Sequence, residues 1–158
     1  HGADVKCISV RAPWPFAIMY LGKDVENRSR EDGRLPAVCH HRGPLLIHVS
    51  ASCSAREYEE AVEWMRAARL ISAVKKLPPF SEMHLGHIVC ALHVNAHVDA
   101  MGTIWETPHA SAGKRSWSRW RAPLSPGLLL SEMRPLAKPV PYKGQLGIYE
   151  VPDTLVSA

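Results

Sequence analysis

The sequence predicts an α+β domain, a small β-barrel with two or three helices packed outside it. Strand-like segments outnumber helical ones, in the order β-α-β-β-α-β-β-β. That order lacks the regular βαβ alternation of a doubly wound parallel sheet. With 158 residues, 46% of them hydrophobic and 22% charged, the chain has the composition of a globular domain. A chain of this size buries roughly 70% of its unfolded surface, so one core forms without disulfides or metals.

Residues 5–10 alternate as a first strand, with Val5, Cys7 and Ser9 on one face and Ile8 and Val10 on the other. Pro13 and Pro15 break it and suit the start of a helix, where a missing N–H costs nothing. Trp14, Ala17, Ile18 and Leu21 follow helical spacing, and Gly22 is a C-terminal stop. Residues 24–28 form a short strand, followed by a polar loop through His40 and His41 and a buried strand at 45–50. The clearest helix covers 55–70. Ser54 and Glu57 make a capping-box pair, and Tyr58, Ala61, Val62, Met65 and Ala68 form one apolar stripe. Residues 87–98, 128–133 and 145–151 are three more strands, and 101–126 reads as an irregular basic loop. The single domain therefore covers 5–152, with residues 1–4 an unstructured start or tag remnant.

Nineteen Lys and Arg against fifteen Asp and Glu leave a net charge of +4, and the pI is near 9.0. This mild excess favours polyanionic partners without requiring them. The apolar runs are far shorter than a membrane span, and no signal segment opens the chain, so the expected location is the cytoplasm with no membrane partner. Cys7, Cys39, Cys53 and Cys90 are scattered without a CxxC pair, which suits reduced, buried thiols. No cofactor is expected.

The chemically informative stretch is Gly22-Lys23-Asp24-Val25-Glu26-Asn27-Arg28. On a strand, Glu26 and Arg28 share a face, and Lys23 lies just before it. Two readings are open: a surface salt-bridge ladder, or a lysine, a carboxylate and a guanidinium converging on one concave spot.

This motif lies between Ile8-Ser9-Val10-Arg11-Ala12-Pro13-Trp14 and the segment His41-Arg42-Gly43-Pro44-Leu45-Leu46-Ile47-His48. Further on come Gly86-His87-Ile88-Val89-Cys90-Ala91-Leu92, then Met133-Arg134-Pro135-Leu136, and a closing segment from Gly144 to Pro152. The ordered set resembles the ASCH domain family, a branch of the PUA-like superfamily, over about residues 5–152. The chain departs from the family pattern at Leu21, where the signature has glycine, and at Ala12, where glutamine is commoner. The resemblance implies a PUA-like barrel of five or six strands with a cleft lined by Lys23, Glu26 and Arg28. It also implies a role with RNA or nucleotides: binding of single-stranded RNA, ribonuclease activity, or hydrolysis of a modified nucleoside such as N4-acetylcytidine. In the amidohydrolase branch a lysine matches Lys23, a threonine falls on Glu26, and a glutamate falls near His93. For RNA cleavage, Lys23, Glu26 and His93 would supply phosphate stabilisation and general acid–base groups. A non-catalytic ligand- or protein-binding module is the third reading.

His93, Asn95 and His97 share a strand face, but no spacing marks a metal site, and His48 reads as a satisfied core residue. The second functional signal is the run Lys114-Arg115-Ser116-Trp117-Ser118-Arg119-Trp120-Arg121. Four cations interleaved with two tryptophans suit single-stranded nucleic acid, cations for phosphates and indoles for bases. The alternative is a tryptophan plugging the barrel end among solvated cations, with Trp120 the one more suited to burial. Finally, Arg11, Lys23 and Arg28 are expected to bind a phosphate-like anion, with Trp14 as a stacking wall.

Overall fold

A computed structural model describes residues 3–107 and 109–156. The strands are β1 (Asp4–Val10), β2 (Val25–Asn27), β3 (Gly43–Val49), β4 (His87–Val98), β5 (Thr103–Thr107), β6 (Ala110–Arg115), β7 (Gly127–Pro141) and β8 (Ile148–Pro152). The helices are α1 (Trp14–Tyr20), α2 (Ala55–Ala67) and α3 (Ile71–Lys75). The chain folds into two compact units. The first takes residues up to 23, 44–92 and 133 onward; the second takes 24–43 and 93–132. β4 and β7 each run through both.

In the first unit the strand order is β4-β3-β1-β8. β1 pairs in parallel with β3, Cys7 opposite Leu46 and Ser9 opposite His48. It pairs antiparallel with β8, Cys7 opposite Tyr149. The period-2 alternation read in residues 5–10 buries Cys7, Leu46, Ile88, Tyr149 and Val151 in one cluster. Each fully buried aliphatic side chain contributes about 1.5–3 kcal/mol through removal from water. A polar chain crosses this unit. His48 Nε2 donates to the Tyr142 carbonyl at 2.7 Å, so Nδ1 accepts from Ser9 Oγ at 2.9 Å, and Tyr149 completes the chain at 2.8 Å. His48 is indeed a satisfied core residue.

The capping box of α2 forms in both directions. Glu57 N donates to Ser54 Oγ at 3.1 Å, and Ser54 N donates to Glu57 Oε1 at 3.0 Å. Tyr58, Ala61, Val62 and Met65 are buried as their spacing requires. The helix expected over 55–70 forms and stops at Ala67, because Arg69 takes a left-handed φ of 65°; the short α3 follows beyond it and was not expected.

In the second unit β2 pairs antiparallel with β7, Glu26 opposite Leu128 and Asn27 opposite Gly127. Gly127 must be glycine: a Cβ there would lie 2.8 Å from both the Glu26 carbonyl and Val25 Cγ1. β7 lies beside β4, β4 carries β5, and β5 carries β6. Val25, Cys39, Val94, Val98, Trp120 and Leu128 are buried here.

The α+β class stands, with a mixed sheet; among the described residues no pairing joins β2 to β8, so the expected closed barrel is not formed by them. All six expected strands form. The β5–β6 hairpin is additional and lies inside the stretch expected to be irregular; its weak alternation and central glycine hid it. The strand expected at 128–133 continues to Pro141. Asp4 already belongs to β1, so the ordered chain starts earlier than expected, while residues 1 and 2 lie outside the described residues. The four cysteines are free and buried. Burial pushes the thiols of Cys7 and Cys39 up to about 11 and that of Cys90 up to about 12, which makes them poor nucleophiles. Among the described residues no helix is long and apolar enough to cross a membrane.

Candidate nucleic-acid interface

The expected site residues fall into both units. In the first, Lys23 is buried at 4% exposure, its Nζ 5.4 Å from the centroid of the Trp14 ring. Trp14 in turn meets Trp64 in a perpendicular, T-shaped pair at 5.6 Å, so the expected stacking wall already contacts a lysine and another indole. Arg11 pairs with Glu57 at 2.9 Å, an acid from the α2 capping box that the sequence reading did not connect with it.

In the second unit Glu26 is buried, and its Oε2 accepts from Arg28 Nε at 3.0 Å. The same-face argument for these two residues therefore holds. His93 is half-buried and shares a 3.3 Å hydrogen bond with its same-face neighbour Asn95. Among the described residues no group of three His, Cys, Asp or Glu is placed to hold a metal ion.

The basic aromatic run is the most open of the expected sites. Trp117 is 83% exposed, whereas Trp120 is buried. Arg115 Cζ lies 5.9 Å from the centroid of the Trp117 ring, a cation–π arrangement that holds the indole's orientation at the surface. Lys114, Arg115 and Arg119 are exposed as well.

What holds this run is the strand before it. Asn27 Nδ2 donates to the Trp120 carbonyl, and its Oδ1 accepts from Ala122 N, both at 2.9 Å. Asp24 accepts from Ser118 Oγ, and Ser118 Oγ accepts from Trp120 N at 3.2 Å. The backbone of Arg28 adds a bond to Pro126 O at 2.8 Å. The residues interleaved with the charged motif are thus the anchors of the basic loop. A sequence signal existed, since Asp and Asn side chains readily bond nearby backbone. Their partners, 93 to 95 residues away, were not legible.

A second cluster was also missed. Arg42 donates from Nε to Glu106 O at 3.0 Å and from Nη1 to Cys39 O and His41 O at 2.8 and 2.9 Å. Its Nη2 donates to Trp105 O at 3.1 Å and to His97 Nδ1 at 2.8 Å. Because a guanidinium only donates, His97 must accept at Nδ1 and carry its proton on Nε2. Burial, reinforced by Arg42 and His40, pushes the His97 pKa down to about 4, so the ring is neutral near neutral pH. Trp105 lies parallel to it, with its indole N–H on Asp99 at 2.9 Å. This cluster is built for rigidity, and it holds the root of the β5–β6 hairpin.

Compared with known proteins, the chain matches no protein-family model and no curated protein sequence.

Proposed function

We propose that this protein is an ASCH-like, PUA-like domain that binds single-stranded RNA through residues 114–121. The observation that carries the reading is Trp117: a large indole held exposed at the surface, against Arg115, among cations. Leaving a tryptophan in water is unfavourable, and stacking a base on it recovers that loss at about 1–3 kcal/mol per base. The anchored side of the loop, at Trp120, keeps the open side from collapsing into the fold. The reading is one of binding. The buried Glu26 carboxylate is paired with Arg28 through Oε2.

Fluorescence anisotropy with a short labelled single-stranded RNA, over a salt series, tests it. Binding should weaken with a log–log slope of roughly −2 to −3, as expected for about four cations on a single strand. Trp117→Ala should weaken binding roughly 5- to 150-fold, the loss of one stacked base. Absence of binding at low salt overturns the reading. So does binding unchanged by Trp117→Ala and by neutralising Lys114, Arg115, Arg119 and Arg121 together.

A further inference from the structure

The turn between β4 and β5 presents three carbonyls to the basic loop. Asp99 O and Ala100 O accept from Arg121 Nη2 at 3.2 and 2.7 Å, and Met101 O accepts from Arg115 Nη2 at 2.5 Å. The two guanidiniums therefore come together over the next residue, Gly102. A Cβ built on Gly102 would lie 3.3 Å from Arg115 Nη2 and 3.4 Å from Arg121 Nη1. Glycine, with φ +88°, leaves a hollow at that point into which both forks reach.

Two like charges are held close by this arrangement, and neither has a carboxylate in ion-pair range among the described residues. The acid of the same turn is turned away. Asp99 accepts from Met101 N, Thr103 N and Trp105 Nε1. Arg121 Nε is moreover buried without a hydrogen-bond partner. A guanidinium pair this close, short of acceptors and without a counter-ion, calls for an anion with several oxygens.

We propose that Arg115 and Arg121, converging over Gly102, form a binding cradle for a phosphate group. A tetrahedral anion seated there would accept from Arg121 Nη1 and from the open edge of Arg115, relieving the repulsion between them. Arg115 also flanks the Trp117 ring, so one guanidinium serves both a stacked base and a phosphate. A phosphodiester of the bound strand is the ligand, an identification that rests on the RNA-binding reading; free phosphate shares its chemistry and needs only the cradle.

Nitrogen-resolved NMR of the full chain, following the Gly102 amide and the Arg115 and Arg121 Nε–H signals, separates the cases. Inorganic phosphate at constant ionic strength should shift all three signals saturably, and a short single-stranded RNA should move them in the same direction. Arg115→Gln should abolish the phosphate shifts, weaken RNA roughly 3- to 10-fold and make the salt slope shallower by about 0.7–1. Gly102→Ala should do the same by filling the hollow. If its left-handed backbone does not tolerate alanine and the variant fails to fold, the exposed Arg115→Gln variant decides alone. Should RNA quench Trp117 fluorescence while these signals stay still, the cradle is wrong and RNA binding stands. Should phosphate move them while RNA does not bind, the cradle holds with free phosphate as its ligand and the RNA reading falls. No response to either probe overturns the cradle.

Discussion

Arg42 and the pair Arg115–Arg121 belong to the same unit of the protein and contrast completely in what their nitrogens do. All five N–H groups of Arg42 are used, on four carbonyls and one imidazole. Arg115 uses one nitrogen, on Met101 O, and leaves its other donors at an exposed surface. A fully satisfied guanidinium in a partly buried setting is framework, because it ties separated backbone segments at fixed geometry. A guanidinium with donors left over, and no carboxylate nearby, is available to a ligand. Counting cations in a sequence does not distinguish the two; counting unused donors does.

The largest effect that would sharpen this contrast is Arg42→Met. Removing the donor strands four carbonyls and His97 Nδ1, and the expected loss is about 3–5 kcal/mol in urea unfolding. Arg115→Gln should stay within about 0.5 kcal/mol of wild type in the same measurement. If the two variants lose similar stability, the contrast is wrong.

Next in size is the pH dependence that burial, reinforced by Arg42, imposes through His97. The His97 pKa is held at about 4 in the fold, below its unfolded value of 6.5, so folding favours the neutral ring. Stability from this group is complete above about pH 6.5, and it is lost as pH falls from there to about 4 because only the unfolded chain then gains the proton. The loss should approach roughly 2–3 kcal/mol. Burial also lowers the pKa of His48, which acts with the same sign. Urea midpoints across this window should fall less steeply in His97→Gln. An equally steep fall in that variant would assign the pH dependence elsewhere.

Asn27→Ala should cost about 2 kcal/mol, because it removes two bonds to loop backbone and leaves the Trp120 carbonyl and Ala122 N–H without them. RNA affinity should fall as well, with the salt slope unchanged, since no cation is lost. A changed slope would mean that Asn27 does more than hold the loop.

The smallest expected effect on stability is at Trp117. Trp117→Ala should alter the unfolding free energy by no more than about 0.5 kcal/mol, because the ring is exposed. Trp120→Ala, at a buried position in the same run, should cost about 3–5 kcal/mol. Equal losses at the two tryptophans would contradict the anchored-and-open description of the loop.

Much of this was legible from local pattern. Alternation placed β1; the Ser54–Glu57 spacing placed the start of α2; and strand periodicity put Glu26 and Arg28 on one face, where they pair. Each of these depends on residues within a few positions of one another, and the physics that decides them is equally short-ranged. The break at Arg69 and the β5–β6 hairpin were not legible, because a single left-handed residue and a weakly alternating segment leave almost no periodic trace.

By itself, then, the sequence determined an α+β chain with its main strands and helices, an excess of positive charge, and a run of cations and tryptophans suited to nucleic acid. Tertiary structure alone decided which of those cations are used and which are open. Arg42 meets Trp105 and Glu106 from more than sixty positions away. Asn27 meets Trp120 across 93 positions, and Arg121 reaches back 21 positions to the turn at Ala100. Hydrogen bonds are satisfied in space and carry no fixed spacing along the chain, so the same residue type becomes framework in one loop and stays exposed with donors to spare in another.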